Sequence, residues 1–134
     1  MNPAVYLVDT SALARIYRSP SGNEEWDHAI VHGTVAVCPV TELEFLYSAR
    51  SERHRERMVH LLNRMLLPVD MGEPPFARAW EVQRLLPTRG EHRSAGPVDL
   101  LVAACAEMHG LTLLHDDNEF ETIARVTGQK VRRV

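Results

Sequence analysis

The stretch PVDLLVAACAEMHGLTLLHDDNEF, residues 97–120, determines how the rest of the chain is interpreted. Its first half begins with proline and ends before Gly110, which is the pattern of a helix over 97–109. Its second half opens with the apolar run 111–114, which is typical of a buried strand. The acidic segment after that run begins another helix. The stretch therefore predicts helix, turn, strand and helix.

The same alternation of helical segments and short apolar runs continues through the chain. Strands are predicted at 5–8, 34–37, 66–69 and 111–114, with an edge strand near 130–134. Helices are predicted at 12–17, 23–32, 41–51, 49–64, 74–86 and 97–109, and a last one ends near 126. Within 74–86 the apolar residues are Phe76, Trp80 and Leu85, and most of these are expected in the core. Parallel strands need crossovers, so this order predicts an α/β fold: a mostly parallel sheet of four to five strands with helices on both faces.

Length and composition bound the class of protein. A chain of 134 residues predicts a single domain over 1–134, and no apolar run approaches the length of a membrane span. The first residues are expected to form a strand and lack the pattern of a signal peptide. Cys38 and Cys105 are interpreted as buried thiols in a reducing cytoplasm. The net charge of −3 argues against bulk attraction to nucleic acid but leaves room for a local basic rim.

Acidic residues fall where predicted strands end and helices begin. They are Asp9 after the first strand, Glu42 and Glu44 in the helix at 41–51, Asp99, and Asp116 and Asp117 after the strand at 111–114. In a parallel sheet these positions share one edge, so the acids are expected to converge there. Glu42 and Glu44 are two residues apart on a helix, so only one of them can face the site.

Each acid also has a purely structural interpretation. Asp9 or Ser11 can act as a helix N-cap. The spacing Thr41-x-x-Glu44 is that of a capping box, and Glu42 suits the first turn of a helix because of the helix dipole. These interpretations and the shared site are compatible, since both place the acids at the same edge of the sheet.

Carboxylates brought close together repel one another, and a divalent cation removes that conflict. Hard cations such as Mg²⁺ prefer oxygen ligands, and no cluster of His or Cys in the sequence favours a softer metal. His28 and His32 have helical spacing, which could pair them on a metal, but a solvated helix face is expected for them. A carboxylate–metal site suits phosphodiester hydrolysis, with nearby arginines holding the phosphate backbone.

Other chemistries fit less well. The sequence has no phosphate-binding G-x-x-x-x-G-K-[ST] loop. A receiver-like domain would need an acidic pair at the first strand and an Asp ending the next one, where this chain has Cys38-Pro39. An Asp-nucleophile phosphatase would need Asp-x-Asp, and Asp9-Thr10-Ser11 lacks the second Asp. The main alternative to an enzyme is a non-catalytic acidic α/β module that only binds partners.

Three motifs in order resemble a known family. They are YLVDTSALAR at 6–15, VTELEFLYSAR at 40–50 and PVDLLVAACAEMHGLTLLHDDNEFETIA at 97–124. Together they are similar to the PIN domain, and specifically to the VapC toxin ribonucleases of bacterial toxin–antitoxin pairs. The resemblance covers nearly the whole chain and implies a three-layer α/β/α PIN-like fold.

The resemblance also implies roles for individual acids. Asp9 would be the first metal ligand, supported by Ser11. Glu44 is preferred to Glu42, because it precedes the run Phe45-Leu46-Tyr47-Ser48-Ala49. Asp99 would be the third acid and Asp117 the fourth. Asp116 stands where the family has an aromatic residue and Glu119 where it has a second Asp, so whether either reaches a metal is left open.

Activity and partners are implied in the same way. The family's chemistry is Mg²⁺- or Mn²⁺-dependent cleavage of RNA leaving a 5′-phosphate, carried out by a homodimer that a VapB-type antitoxin inhibits. The antitoxin would dock in a groove formed by the helices at 11–32 and 41–65. Candidate RNA-binding residues are Arg15, Arg50, Arg89 and Arg93, the last two in the polar stretch 87–97.

Overall fold

The computed structural model of the chain describes residues 3–19, 24–86 and 95–134. Its strands are β1 Tyr6–Val8, β2 Val35–Val37, β3 Leu67–Pro68, β4 Thr112–His115 and β5 Val131–Arg133. Its helices are α1 Thr10–Arg18, α2 Glu24–Val31, α3 Pro39–Leu46, α4 Glu52–Met65, α5 Pro74–Leu85, α6 Pro97–Met108 and α7 Asn118–Thr127. The predicted order of elements is confirmed, including the edge strand at the end of the chain.

All five strands form one parallel sheet with the order β3-β2-β1-β4-β5. β1 lies at the centre, between β2 and β4, where its two apolar faces are covered. β3 contains Pro68 and lies at an edge, which is where a strand tolerates a residue without an amide hydrogen. The chain extends the sheet to one side of β1 with β2 and β3, and to the other side with β4 and β5.

Successive residues of the central strands point to opposite faces of the sheet, and each face has its own core. Leu7 and Leu113 pack in one core with residues of α5, α6 and α7. Val8 and Leu114 pack in the other with residues of α1, α2, α3 and α4. This alternation follows from the period of two in a strand. The predicted three-layer α/β/α fold is confirmed.

The third helix differs from the prediction at both ends. α3 begins at Pro39 and ends at Leu46, so the predicted bounds of 41 and 51 are wrong. Cys38 takes the N-cap position without a side-chain hydrogen bond. Thr41 is therefore inside the helix and fully buried, and the predicted capping box with Glu44 does not form. Proline at the first helical position explains the earlier start.

The fifth helix presents a different face to the core from the one predicted. Phe76, Trp80 and Leu85 are exposed, with 70% of Trp80 accessible, so their assignment to the core is wrong. The buried positions of α5 are Pro75, Ala79 and Val82, and Leu86 follows them. These smaller residues recur at helical spacing and let α5 pack against α6.

The two cysteines are buried and free, as predicted. They are far apart in sequence, but the fold places the two thiols beside each other, between the end of β2 and α6. The neighbouring Cys38 thiol and burial raise the pKa of the Cys105 thiol. Both cysteines are part of the same buried core. In the described part of the chain, no helix is both long and apolar enough to cross a membrane.

Candidate active site

The candidate site lies where the chain changes direction across the sheet. β1 and β4 are neighbours, and the connections from β1 and from β4 lead to opposite faces. Crevices at the carboxyl ends of such strands are the usual ligand sites of parallel sheets. Asp9 follows β1 directly, and its amide donates to the carbonyl of Leu114 at 3.0 Å. The first acid is thus fixed to the end of the neighbouring strand.

The Asp9 carboxylate is the N-cap of α1 and is only 5% exposed. It accepts hydrogen bonds from the amides of Ser11 at 3.1 Å and Ala12 at 3.0 Å. Burial raises its pKa, and the hydrogen bonds from Ala12 and Ser11 partly offset the effect. The capping interpretation of Asp9 is correct, and it also holds a carboxylate rigidly at the edge of the sheet.

Ser11 connects the first acid to the loop that carries the last one. Its hydroxyl lies 2.8 Å from Asp9 Oδ1 and 2.9 Å from Oδ2 and donates to this carboxylate. The same Oγ accepts the backbone amide of Asp116 at 2.9 Å. One small side chain therefore ties the β1–α1 turn to the β4–α7 loop.

Asp99 lies in the first turn of α6 and is half-buried. Its pKa is raised to about 6, first by burial and then by the nearby carboxylates of Asp117, Asp9 and Glu44, in that order. These three acids come from three other elements of the fold. The structure therefore brings the four predicted acids into one electrostatic environment, with Asp99 at its centre.

Glu44, and not Glu42, is the acid of α3 that acts on Asp99. The Glu44 carboxylate accepts a short hydrogen bond from the hydroxyl of Thr10, at the start of α1. Burial raises the pKa of Glu42, but Glu42 has no part in the shift at Asp99. The two-residue separation on a helix thus separates the two acids as expected.

Asp117 is the N-cap of α7 and accepts the amide of Glu119 at 3.0 Å. Its own amide donates to Nδ1 of His115 at 3.2 Å, so this ring nitrogen carries no proton. The Nε2 atom of the fully buried His115 lies 3.4 Å from Glu121 Oε1 without hydrogen-bond geometry. Burial and then the charge of Asp117 raise the pKa of Glu119, and Glu119 is not among the acids that act on Asp99.

Asp116 faces two arginines. Its Oδ2 lies 3.3 Å from Arg15 Nη1, and its Oδ1 lies 3.2 Å from Arg133 Nη1. Burial alone would raise the pKa of Asp116, but the hydrogen bonds and charges of Arg15 and Arg133 outweigh it and lower that pKa. The pKa values of Asp99 and Asp116 are therefore shifted in opposite directions. Asp116 is also not among the acids that raise the pKa of Asp99.

The other predicted RNA-binding residues are only partly described. Arg50 lines a groove of about 490 Å³ between α1, α3 and α4, together with Arg18 and His54. The groove reaches Glu44 and Thr10, so its cations lie beside the acidic group. Arg89 and Arg93 lie outside the described residues. Arg15 is exposed at the rim of the site.

The carboxylates of Asp9, Glu44, Asp99 and Asp117 are suitable ligands for a hard divalent cation. The acids that act on Asp99 offer only carboxylate oxygens, which Mg²⁺ and Mn²⁺ prefer. Within residues 3–19, 24–86 and 95–134, no three His, Cys, Asp or Glu side chains form a ready-made metal cluster. Mg²⁺ is commonly held by one or two carboxylates plus waters and substrate phosphates, so acids that do not form a complete cluster by themselves can still bind it.

The sequence did not reveal every residue of the site. The sequence pattern gives Thr10 no role in the site, although the Thr10 hydroxyl donates to Glu44. Arg133 appeared only as a basic residue of an edge strand. The parallel register pairs it with His115, and this register places its guanidinium beside Asp116. Neither contact has a signal in the sequence, because the first depends on how α1 packs against α3 and the second on the register of β4 and β5.

The chain is similar to known proteins over most of its length. Residues 6–126 match the model of the PIN domain. The chain is 42% identical to Ribonuclease VapC2 of Mycobacterium tuberculosis over 130 residues, which is 96% of this chain and 92% of that protein. It is 40% identical to Ribonuclease VapC51 of the same species, over 92% of this chain and 88% of that protein.

Solved structures share the fold at low sequence identity. The VapBC complex of Salmonella typhimurium bound to DNA contains a chain with a TM-score of 0.75 and 17% identity, covering 97% of this chain and 98% of that one. The VapBC2 complex of Rickettsia felis, bound to a promoter DNA fragment, gives a TM-score of 0.77 and 16% identity, covering 97% and 98%. The fold, the match over most of the chain and the relatives at about 40% identity lead to one conclusion: this chain belongs to the PIN-domain family, within its VapC ribonuclease group.

Proposed function

We propose that this chain is a divalent-metal-dependent endoribonuclease and the toxin of a toxin–antitoxin pair. The observation that carries the proposal is Asp99, whose pKa is raised to about 6 by burial and by three neighbouring carboxylates. A carboxyl group whose pKa is raised by burial and by neighbouring carboxylates in a crevice is typical of a site that binds a cation or performs acid–base chemistry. The relatives' name, Ribonuclease VapC, supports RNA as the substrate.

In this proposal Asp9, Asp99 and Asp117 hold Mg²⁺ or Mn²⁺, and Glu44 completes the set of four acids. Such an ion would lower the pKa of a water and counter the charge on the leaving oxygen. Asp9 supplies a fixed oxygen pair because the amino end of α1 and Ser11 hold both of its oxygens. Asp117 is held similarly at the start of α7, and Asp99 and Glu44 come from α6 and α3. The scissile phosphate would lie between them, and its 3′ oxygen would leave, giving a 5′-phosphate product.

Cleavage in the presence and absence of metal tests this function. Purified protein is incubated with structured RNA in Mg²⁺, in Mn²⁺ and in EDTA, and the products are resolved by length. We expect internal cuts with 5′-phosphate ends in either metal, and a rate in EDTA lower by about 10²-fold or more, because metal chemistry supplies several kcal/mol. Binding of RNA without metal-dependent cleavage would instead favour a non-catalytic binding module.

The antitoxin groove is proposed from an apolar surface between helices. Leu13 and Ile16 of α1, Ile30 of α2, and Leu61 and Met65 of α4 line a groove of about 260 Å³. An amphipathic helix can lay its apolar face into such a groove. The arginines and histidine on α4 beside it, at 57, 60 and 64, would suit acidic residues flanking that helix. A VapB-type antitoxin docked here would also reach the acidic site through the adjoining α1–α3–α4 groove.

A homodimer is proposed from large apolar side chains that the single chain leaves exposed. Leu43 and Tyr47 at α3 are 67% and 90% exposed, and Phe76 and Trp80 on α5 are 57% and 70% exposed. Apolar surface of this kind commonly marks a protein contact. We also infer that residues 1–134 form one domain and that the chain acts in the cytoplasm, where RNA and antitoxin would be available.

Light scattering after gel filtration tests both partners in one experiment. The chain alone is expected to have the mass of two copies. Co-expressed with the product of the gene immediately upstream, it is expected to elute as a larger complex. That complex should cleave RNA at least about tenfold more slowly, because the antitoxin would cover the acidic site. A monomer would remove the dimer proposal, and a neighbouring product that neither binds nor inhibits would remove the antitoxin assignment.

A further inference from the structure

Asp116 differs from the acids around Asp99 because its charged partners are basic. Both of its carboxylate oxygens are engaged by guanidinium groups, Oδ2 by Arg15 at 3.3 Å and Oδ1 by Arg133 at 3.2 Å. A metal ion bound to this carboxylate would lie beside both guanidinium groups and would be repelled by them. Asp116 is therefore poorly placed as a metal ligand, although it is adjacent in sequence to Asp117.

The two arginines come from different elements and meet only at Asp116. Arg15 belongs to α1, and Arg133 belongs to β5, at the far edge of the sheet. Two cations so close to one acid repel each other, and the carboxylate between them offsets that repulsion. Arg133 is fixed further by Asn118 Oδ1 at 2.5 Å, within the loop that follows β4.

Both guanidinium groups keep donors for another ligand. The side chains of Arg15 and Arg133 are 53% and 41% exposed. A guanidinium has five N–H donors, and Arg15 makes one hydrogen bond to a side chain of the described residues. The planar fork of arginine suits bidentate binding of phosphate oxygens. Exposed ion pairs contribute little to stability, so this arrangement needs another explanation than holding the fold.

The pair is rigidly connected to the acidic site. The backbone amide of Asp116 donates to Ser11 Oγ, and the Ser11 hydroxyl donates to Asp9. Any phosphate held by the two arginines would thus lie at a fixed offset from the carboxylates. A positive rim beside an acidic centre also solves an electrostatic problem, because an acidic crevice by itself repels RNA.

We propose that Asp116 is a positioning residue that holds Arg15 and Arg133 side by side as a binding site for a backbone phosphate of the RNA substrate. The proposal rests on the proposed ribonuclease function. It assigns Asp116 to substrate binding and adds Arg133 to the candidate RNA-binding residues. An arginine loses much conformational freedom when it is fixed, and Asp116 fixes both before RNA binds, which lowers the entropic cost of binding.

The direction in which Asp116→Ala changes the Kd for RNA shows whether Asp116 positions the arginines or acts only through its negative charge. Binding of a fluorescein-labelled single-stranded RNA is measured by anisotropy in EDTA, so that no cleavage occurs. Removing a negative charge should by itself tighten RNA binding. If Asp116 positions the arginines, Asp116→Ala should instead raise Kd by about threefold or more, and Arg15→Gln and Arg133→Gln should each flatten the salt dependence by about 0.7 in slope. Asp70→Asn, which removes an equal charge from an exposed acid, is the matched control and should leave Kd equal or slightly lower.

Two further readouts keep the outcome unambiguous. Asp116→Ala should keep the rise in Tm that Mn²⁺ gives the wild type, because Asp116 does not ligate the metal. Tighter RNA binding by Asp116→Ala would overturn the proposal, and so would loss of the Mn²⁺ effect on Tm. If the wild type binds RNA but does not cleave it in Mg²⁺ or Mn²⁺, the ribonuclease function fails while the phosphate site is still judged by these Kd values.

Discussion

Asp99→Asn is expected to lower the rate of RNA cleavage by about 10²–10³-fold, which corresponds to roughly 3–4 kcal/mol of lost transition-state stabilisation. Asp99 is the acid on which Asp117, Asp9 and Glu44 all act. The amide is nearly isosteric with the carboxylate, so the variant should fold, but it removes the charge that the cation requires. Single-turnover cleavage at saturating Mg²⁺ measures the effect without interference from product release.

Asp70→Asn is the matched control for this loss. Asp70 is exposed, and its backbone carbonyl meets the ring of His109, which is about 15 Å along α6 from Asp99. The control should cleave within about twofold of the wild-type rate, as expected for a surface substitution away from the site. A rate near the wild-type value for Asp99→Asn as well would mean that the acids do not form the catalytic centre.

The same substitution is expected to stabilise the metal-free protein. The pKa of Asp99 is raised from its ordinary 3.8 to about 6 by burial and by neighbouring carboxylates. The folded state therefore binds this proton more tightly than the unfolded state, and the ionised form costs stability as pH rises from about 4 through about 6. The shift sets an upper limit of roughly 3 kcal/mol at neutral pH, and screening of the half-buried side chain reduces it to about 1–2 kcal/mol.

Urea unfolding of wild type and Asp99→Asn in EDTA checks this prediction. The difference in unfolding free energy should be near zero at about pH 4 and should reach about 1–2 kcal/mol in favour of the variant at about pH 7.5. Comparing the two proteins cancels the titration of acids that do not interact with Asp99, so the difference reports the acidic group. Added Mn²⁺ should reverse the order, because only the wild type gains stability from binding. A variant less stable than the wild type at every pH in EDTA would show that the carboxylates do not repel.

Much of the fold could be predicted because its determinants are local. Short apolar runs and crossover helices specify the order of elements and the parallel sheet. The errors arose where a local rule competed with tertiary packing. The spacing of Thr41 and Glu44 mimics a capping box, but Pro39 starts the helix earlier. In α5, the large Phe76 and Trp80 were the obvious core candidates, yet the close approach of α6 favours the smaller face with Ala79.

The acidic centre was more predictable than its rim. Each acid stands at a strand end or in a helix bordering the crevice, so the parallel topology alone brings Asp9, Asp99 and Asp117 to one edge. The partners of Asp116 depend on side chains that reach across from α1 and β5. No periodicity in the sequence records such contacts. The sequence alone therefore does not decide whether Asp116 binds a metal, and it does not identify Arg133 as a neighbour of the site.

The central claim is that a cation held by these carboxylates is what makes the chain cleave RNA. The most direct measurement is a Mn²⁺ titration in which metal binding, followed by calorimetry, and single-turnover cleavage are recorded on the same wild-type protein and on Asp99→Asn. We predict that the cleavage rate of the wild type rises along its binding curve, and that both binding and cleavage are lost in the variant. Cleavage that persists in EDTA, or a variant that binds Mn²⁺ and cleaves like the wild type, would contradict the account.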